Sequence, residues 1–243
     1  MKRTMAILLS TLALVACNIT ADAQEGESGG GPVTQRSFNL TGFDAVGLAG
    51  SPDLVVRVGQ PHSVRAEGDA EMLERLDLRV EDGKLRVGYK KGNWSMNWGS
   101  RPKTTIYVTL PALRGASLAG SGDIRIDRVE GNSFDASVAG SGDIAIAQLQ
   151  VGTLNMKVAG SGNIKAAGAA QNASASVAGS GDIDLRAVQS RIASAKVVGS
   201  GDIRIQASET ADVAIAGSGD VWVSGPARCT VSTRGSGNVH CNA

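Results

Sequence analysis

The sequence has few aromatic side chains, few histidines and almost no excess charge. Aromatic residues make up 3% of the 243 residues, and there are only two histidines, so few side chains could act as an imidazole acid or base. The 24 Lys and Arg residues oppose 23 Asp and Glu residues, which gives a formal net charge of +1. This balance argues against nucleic acid as a partner, because such proteins carry a strongly basic face.

Glycine and aliphatic residues are abundant instead. The chain contains 32 glycines, and 42% of its residues are hydrophobic, which is enough to bury a core and argues against disorder. Glycine does not recur at every third position, so a collagen helix is excluded. We expect a narrow, regular core built from aliphatic side chains rather than rings.

The first residues form an export signal. Lys2 and Arg3 precede a short apolar run, and no later segment has the 18 apolar residues of a membrane span. Two cleavage sites compete: a lipobox ending at Cys17, which would be lipidated, or ordinary cleavage after Ala23. We assign residues 1–23 to the signal peptide and residues 24–35 to a flexible linker. The protein is thus expected in the periplasm, outer membrane or cell surface, touching membrane only through a lipid anchor at Cys17.

An internal repeat dominates the rest of the chain. The tetrapeptide Gly-Ser-Gly-Asp/Asn recurs seven times at intervals of 18–20 residues, starting at Gly120, Gly140, Gly160, Gly179, Gly199, Gly217 and Gly235. Apolar, mostly β-branched residues alternate with polar ones on both sides of each copy, which is the period of a β-strand. A unit of about 20 residues cannot bury its own apolar face, so neighbouring units must stack. The repeat therefore predicts an all-β fold, a parallel β-helix with a glycine corner in each coil.

Residues 36–243 form one predicted domain, with the repeats in residues 114–243 and a capping part in residues 36–113. Within the capping part we predict strands at residues 53–58, 76–80, 85–89 and 104–110, and one helical turn at residues 71–76. Asp82-Gly83 predicts a hairpin between the second and third of these strands. Gly50-Ser-Pro-Asp53 is a degenerate copy of the repeated corner.

The chain resembles the head GIN domain family, described as “putative auto-transporter adhesin”. The resemblance rests on the Phe43-Asp-Ala-Val opening, the Asp82-Gly-Lys-Leu hairpin, the Ile106-Tyr-Val strand and above all the repeats. It extends from Phe43 to the C-terminus and implies an exported, right-handed β-helix, often lipid-anchored. It carries over no catalytic or binding residue, because fold does not imply function.

The repeated Asp/Asn position has two interpretations. A column of carboxylates could bind Ca²⁺. The candidate metal ligands are Asp123, Asp143, Asp182, Asp202 and Asp220. Alternatively, the side chains cap backbone N–H groups at the corner, a role that Asn at two of the seven positions also fills. We favour capping, and we expect no metal and no other cofactor.

One loop combines rings with positive charge and is the predicted binding surface. Two of the three tryptophans lie between residues 89 and 103 among basic side chains. The residues of this surface are Lys90, Lys91, Trp94, Trp98 and Arg101. Exposed rings beside cations could contact a glycan or a protein at the cell envelope, although the same rings could simply cover the end of the coil stack.

Catalysis has little support, since no recognisable catalytic motif accompanies the two histidines. We predict a non-catalytic protein with a structural, adhesive or ligand-binding role. The alternative is a polysaccharide lyase or hydrolase, because some such enzymes use β-helices with carboxylate clusters.

The last two cysteines are predicted to form a disulfide. Cys241 falls in a column of inward Ile and Leu residues, and Cys229 falls in the column of Phe134 and Leu154, so both should point inward in the final coil. Export places them in an oxidising compartment. The alternative is a pair of buried free thiols.

Overall fold

The computed structural model describes residues 33–92 and 103–242, which form strands with one short helix. All the strands belong to one continuous sheet that winds into a β-solenoid of about 6 turns with ~20-residue coils. The elements before the repeats are β1 (Val33–Phe38), β2 (Ala45–Gly50), β3 (Asp53–Val58), β4 (Ser63–Asp69), α1 (Ala70–Glu74), β5 (Leu76–Glu81), β6 (Lys84–Tyr89) and β7 (Thr105–Leu110). The elements of the repeats are β8 (Gly115–Gly120), β9 (Ile124–Gly140), β10 (Ile144–Gly160), β11 (Ile164–Gly179), β12 (Ile183–Gly199), β13 (Ile203–Gln206), β14 (Thr210–Gly217), β15 (Val221–Ser224), β16 (Arg228–Gly235) and β17 (Val239–Cys241).

Successive repeats stack in register, as predicted. Strands β9 to β12 pair in parallel, and equivalent residues of neighbouring repeats lie directly above one another. In every repeat but the last, the residue after the Asp/Asn is fully buried, in the column Ile124, Ile144, Ile164, Ile183, Ile203 and Val221. These ladders of aliphatic side chains form the core, because each coil buries its apolar side chains against the coils on either side.

Glycine at the corner is required by the spacing between coils. Gly140 adopts φ +136, a conformation that side chains disfavour. Two residues on, a Cβ added to Gly142 would lie 1.9 Å from the carbonyl oxygen of Gly122 in the next coil. The same short approach recurs at the equivalent glycines, so the corners stack closely only because they lack side chains.

The repeats differ from the prediction in one respect. The alternation on both sides of each corner predicts two strands per repeat. Strands β13 to β16 have this arrangement, but the chain runs as one pairing strand of 17 residues from corner to corner in β9, β10 and β12. The hydrogen bonds join neighbouring coils rather than parts of one coil. The backbone therefore bends between faces and loses its partners at only a few positions, such as residues 147 and 152 of β10.

The capping part contributes one coil to the interior of the stack. Strand β2 pairs in parallel with both β6 and β8, and β3 pairs with both β7 and β9. Gly50 lies opposite Gly120, so the degenerate corner occupies the position predicted for it. This coil precedes the β6–β7 coil in sequence but lies between that coil and the repeats in space.

Antiparallel strands and the helix close this end of the stack. Strand β4 pairs antiparallel with β7, β1 with β4, and β5 with β6. The predicted hairpin is present, with Asp82 at φ 51 and Gly83 at φ 71. Asp69 caps the helix by accepting a hydrogen bond from Met72 N at 3.2 Å, and Leu73 of the helix is buried. No helix in residues 33–92 or 103–242 is long and apolar enough to cross a membrane.

Candidate functional site

The Asp/Asn column forms a continuous hydrogen-bonded ladder along one edge of the solenoid. In each coil the side-chain Oδ1 accepts the backbone N–H of the Asp or Asn in the next coil, at distances of 2.7–3.3 Å. The ladder members are Asp53, Asp123, Asp143, Asn163, Asp182, Asp202, Asp220 and Asn238. Asn163 accepts through its amide oxygen as the aspartates do through a carboxylate oxygen. The geometry is that of backbone capping, which an amide or a carboxylate can supply.

The remaining carboxylate oxygens of the ladder meet cations at several positions. Oδ2 of Asp53 lies 3.6 Å from Arg125, and Oδ2 of Asp123 pairs with the same arginine at 3.2 Å. Lys103 pairs with the ladder oxygen of Asp53, Oδ1, at 2.7 Å. Asp202 pairs with Arg204 at 3.2 Å. Within the described ranges, no group of three His, Cys, Asp or Glu side chains is placed to hold a metal ion. The ladder side chains thus have structural partners along most of the column.

A groove lies on the outer face at the capped end. It has a volume of about 780 Å³, which is within the ~300–1,000 Å³ typical of ligand sites. Its floor is the outward side of β2 and β8 and carries only small residues, which are Gly47, Ala49, Gly50, Ser51, Ser117, Gly120 and Ser121. Strands β5 and β6 supply the wall, through Asp77, Arg79, Arg86, Val87, Gly88, Tyr89 and Lys91. Side chains from four strands that are distant in sequence meet there.

The charged wall is held in place by ion pairs. Glu81 contacts Arg79 and Arg86, each at 2.5 Å, and Arg79 also pairs with Asp77. The hydrogen bond from Arg79 lowers the pKa of Glu81, and the hydrogen bond to Glu81 raises the pKa of Arg79. A guanidinium has five N–H donors, so each arginine keeps donors beyond those that face Glu81. The three cations of the lining, Arg79, Arg86 and Lys91, outnumber Asp77 and the neighbouring Glu81 by one charge.

Tyr89 marks the end of the groove nearest the corner. Burial raises the pKa of its hydroxyl, so the phenol stays neutral at physiological pH. Its ring lies 3.8 Å from the position that a Cβ on Gly50 would occupy. Because Gly50 has no side chain, the Tyr89 ring packs beside it, and the floor of the groove is flat next to this aromatic wall.

The structure places two of the five residues predicted as a binding surface. Lys91 lines the groove. Lys90 instead donates through Nζ to the carbonyl oxygen of Glu74 at 2.8 Å, which ties it to the end of the helix. Trp94, Trp98 and Arg101 lie outside the described residues, as does the predicted lipidation residue Cys17. The predicted surface shares only Lys91 with this groove, and no sequence signal indicated the floor, because its residues are small and unremarkable in sequence.

A ring stack on another face was also missed. Trp222 lies between Arg204, whose guanidinium carbon is 4.5 Å from the indole centroid, and His240, whose ring is 5.4 Å away and nearly parallel. These residues share an outward column of β13, β15 and β17. Both faces of the indole are covered, so this stack fastens neighbouring coils together rather than offering a free ring to a ligand.

The two C-terminal cysteines meet in the last coil. Cys229 lies in the column of Phe134 and Leu154, and the structure joins Cys229 to Cys241 as a disulfide across a sequence separation of 12. Both side chains are half-buried. The bond links β16 to β17 and so ties together two faces of the terminal coil.

Comparison with known proteins gives one family and several solved structures of the same fold. The family model described as “Putative auto-transporter adhesin, head GIN domain” matches residues 42–227. None of the curated proteins compared with the chain matches it.

Several solved bacterial structures share the fold. A “putative adhesin” from Bacteroides fragilis is 24% identical with a TM-score of 0.79, and the match covers 86% of this chain and 97% of that chain. A “putative lipid binding protein” from Parabacteroides distasonis is 25% identical with a TM-score of 0.72, covering 87% and 97%. A “putative adhesin” from Parabacteroides merdae is 18% identical with a TM-score of 0.72, covering 87% and 96%. The similarity extends over nearly the whole of each neighbour.

Proposed function

The chain belongs to the head GIN domain family, and on that premise we propose that it is a non-catalytic binding protein of the bacterial cell envelope. The family description and the names of the neighbouring structures support a surface or envelope location and an adhesive role. The groove between β2, β5, β6 and β8 carries the proposal. Among the described residues it combines a flat floor, an aromatic wall and an excess of cations in a space of ligand size.

The ligand that this groove suits best is an extended acidic glycan. A floor of glycine, alanine and serine lets the flat faces of sugar rings approach the sheet closely. The wall arginines pair with Glu81 and can direct their other N–H groups to carboxylates or hydroxyls of the glycan. Lys91 adds a charge at the end where the Trp-containing loop begins.

The ladder carboxylates favour a non-catalytic role over the alternative of a polysaccharide-acting enzyme. An acid–base pair needs carboxyl oxygens that face a substrate. Here one oxygen of each ladder carboxylate accepts a backbone N–H from the next coil, as at Asp182, which accepts from Asp202 at 2.8 Å. These side chains therefore serve the stacking of coils.

The proposal is tested by filling the groove without touching the core. Ala49 and Ala139 are both exposed and lie in one outward column, but only Ala49 lines the groove. We expect Ala49→Trp to weaken binding of oligogalacturonate by about tenfold or more in calorimetric titration, whereas Ala139→Trp leaves it unchanged. Lys91→Glu tests the charge of the groove in the same way and should weaken binding. Lys157→Glu, on the same face, is its control and should leave binding unchanged.

Three outcomes would contradict the proposal. The first is no binding of oligogalacturonate by the unmodified protein at millimolar concentration. The second is cleavage of the glycan, which would favour the enzyme. The third is binding to phosphatidylglycerol vesicles that Ala49→Trp abolishes, which would assign the groove to lipid, in line with the name of the Parabacteroides distasonis neighbour.

We also propose that Cys17 is acylated and that the residues between it and strand β1 act as a tether. The support is the lipobox and the Gly-rich composition that follows it. Intact mass measurement of the mature protein should give a chain that begins at Cys17 with two or three acyl groups. An unmodified N-terminus at Gln24 would contradict lipid anchoring.

A further inference from the structure

The two ends of the solenoid differ in how they are covered. At the end formed by β1, β4 and β5, antiparallel strands and the helix close the stack, and Leu73 is 3% exposed. At the opposite end, Val231 of β16 is 48% exposed, although its neighbour in the same column, Val213, is 3% exposed. Thr233 is likewise exposed above the buried Ile215. Within residues 33–92 and 103–242, nothing covers the inward side chains of the last coil.

The open end also presents unpaired backbone donors. Arg228 N donates to Glu209 O at 2.9 Å, so its N–H points back toward the preceding coil. Because successive N–H groups of a strand alternate in direction, those of Cys229, Val231 and Thr233 point outward from the stack. Strand β16 is therefore an edge strand whose backbone can accept one further strand.

The charge of the last coil differs from that of the coils before it. Residues 221–242 contain Arg228, Arg234 and His240 and no Asp or Glu. In the preceding coil the positions of the two arginines hold Thr210 and Ala216. The outward face of the edge strand is thus basic at both of its ends.

These charges argue against a second copy of this chain as the occupant. A two-fold pairing of β16 with itself about Val231 would place Arg228 opposite Arg234 twice, which is repulsive. Head-to-tail stacking would place the basic edge against residues 63–91, which hold seven acids and seven bases and so offer no net attraction. The edge is therefore matched to a foreign strand with negative charge.

We propose that this open end binds, by strand addition, an extended acidic segment of another protein. The bound segment carries two acidic side chains, six residues apart, that lie opposite the two arginines. Between them, every second residue is small and apolar and points inward, where it covers the disulfide, Val231 and Thr233. Backbone hydrogen bonds supply the affinity, and the paired charges supply the selectivity. The open end formed by β16 lies at the other end of the stack from the groove, so a result that contradicts one proposal leaves the other unaffected.

A designed peptide tests the proposal directly. The probe is a labelled heptapeptide with glutamate at both ends, valine at the second, fourth and sixth positions, and threonine at the third and fifth. Fluorescence anisotropy should show that it binds at least about tenfold more tightly than the same peptide with terminal lysines. A version N-methylated at alternate amides should not bind, because it cannot pair along its backbone.

Variants of the edge provide the controls. Arg228→Glu/Arg234→Glu should reverse the preference to the lysine peptide, and Arg128→Glu on β9 should leave it unchanged. Val231→Pro removes an outward donor and should abolish binding, and its circular dichroism and melting temperature report whether the coil remains folded. If a variant unfolds, the N-methylated peptide still tests strand pairing on the unmodified protein.

Two results would overturn the proposal. One is equal affinity, or no affinity at millimolar concentration, for the glutamate and lysine peptides. The other is a dimer in sedimentation experiments that Val231→Pro dissociates, because the occupant would then be a second copy of the chain.

Discussion

Removal of one ladder carboxylate should weaken the solenoid by an amount set by one hydrogen bond. Oδ1 of Asp182 accepts the N–H of Asp202 at 2.8 Å, and Asp202 is half-buried. In Asp182→Ala that donor loses its acceptor and only partly regains one from water, so we expect a loss of about 1 kcal/mol. For a chain of this length the melting temperature should fall by about 2–4 °C.

The matched control is Asp182→Asn, which keeps an oxygen in the same place. Asn163 already performs this role, since it accepts the N–H of Asp182 at 3.0 Å. We therefore expect Asp182→Asn to be as stable as the unmodified protein in urea denaturation, with or without a chelator. The reasoning would be refuted if the Asn variant lost as much stability as the Ala variant and if calcium raised the melting temperature of the unmodified protein alone. The charge, and hence metal binding, would then matter more than capping.

Three further predictions concern the corner, the last coil and one ion pair. Gly181→Ala places a Cβ 2.0 Å from a carbonyl oxygen of the adjacent coil and should prevent soluble expression, while Gly92→Ala, which meets nothing within 4 Å, should not. Reduction of the Cys229–Cys241 bond, which closes a separation of 12 residues, should lower the unfolding free energy by about 2–3 kcal/mol, and two reactive thiols in unreduced, unfolded protein would contradict it. A hydrogen bond from Arg186 lowers the pKa of Asp184 below its ordinary value of 3.8. The unmodified protein should therefore have a higher unfolding free energy than Asp184→Asn above pH 3.8, and this difference should vanish as the pH falls through the lowered pKa.

The repeats were predictable because their packing is local and periodic. Each column repeats one residue type at about 20-residue spacing, so the strands, the glycine corners and the inward positions of Cys229 and Cys241 followed from alignment of the repeats alone. The capping role of the Asp/Asn ladder was also predictable from the sequence, since a short side-chain acceptor after a tight corner is a recognised cap. Asp53, its first described member, belongs to the degenerate corner that the sequence already showed.

The capping part was less predictable because its contacts are not periodic. Local signals indicated β3, the hairpin and β7, but no sequence pattern indicated that the β2–β3 coil lies between two later coils. The groove depends on that arrangement, since it brings Ala49 of β2 beside Ser117 of β8 and Arg86 of β6. Trp222 was missed because a single ring in a strand gives no sign of the cation and imidazole that stack on it.

The most direct test of the central claim is a hydrogen-exchange footprint of the bound acidic glycan. With saturating oligogalacturonate, the account predicts slower amide exchange in residues 47–51, 84–91 and 117–121, and no change along the Asp/Asn ladder of the later coils. Protection centred on the ladder, or no protection at saturation, would contradict a binding role for the groove.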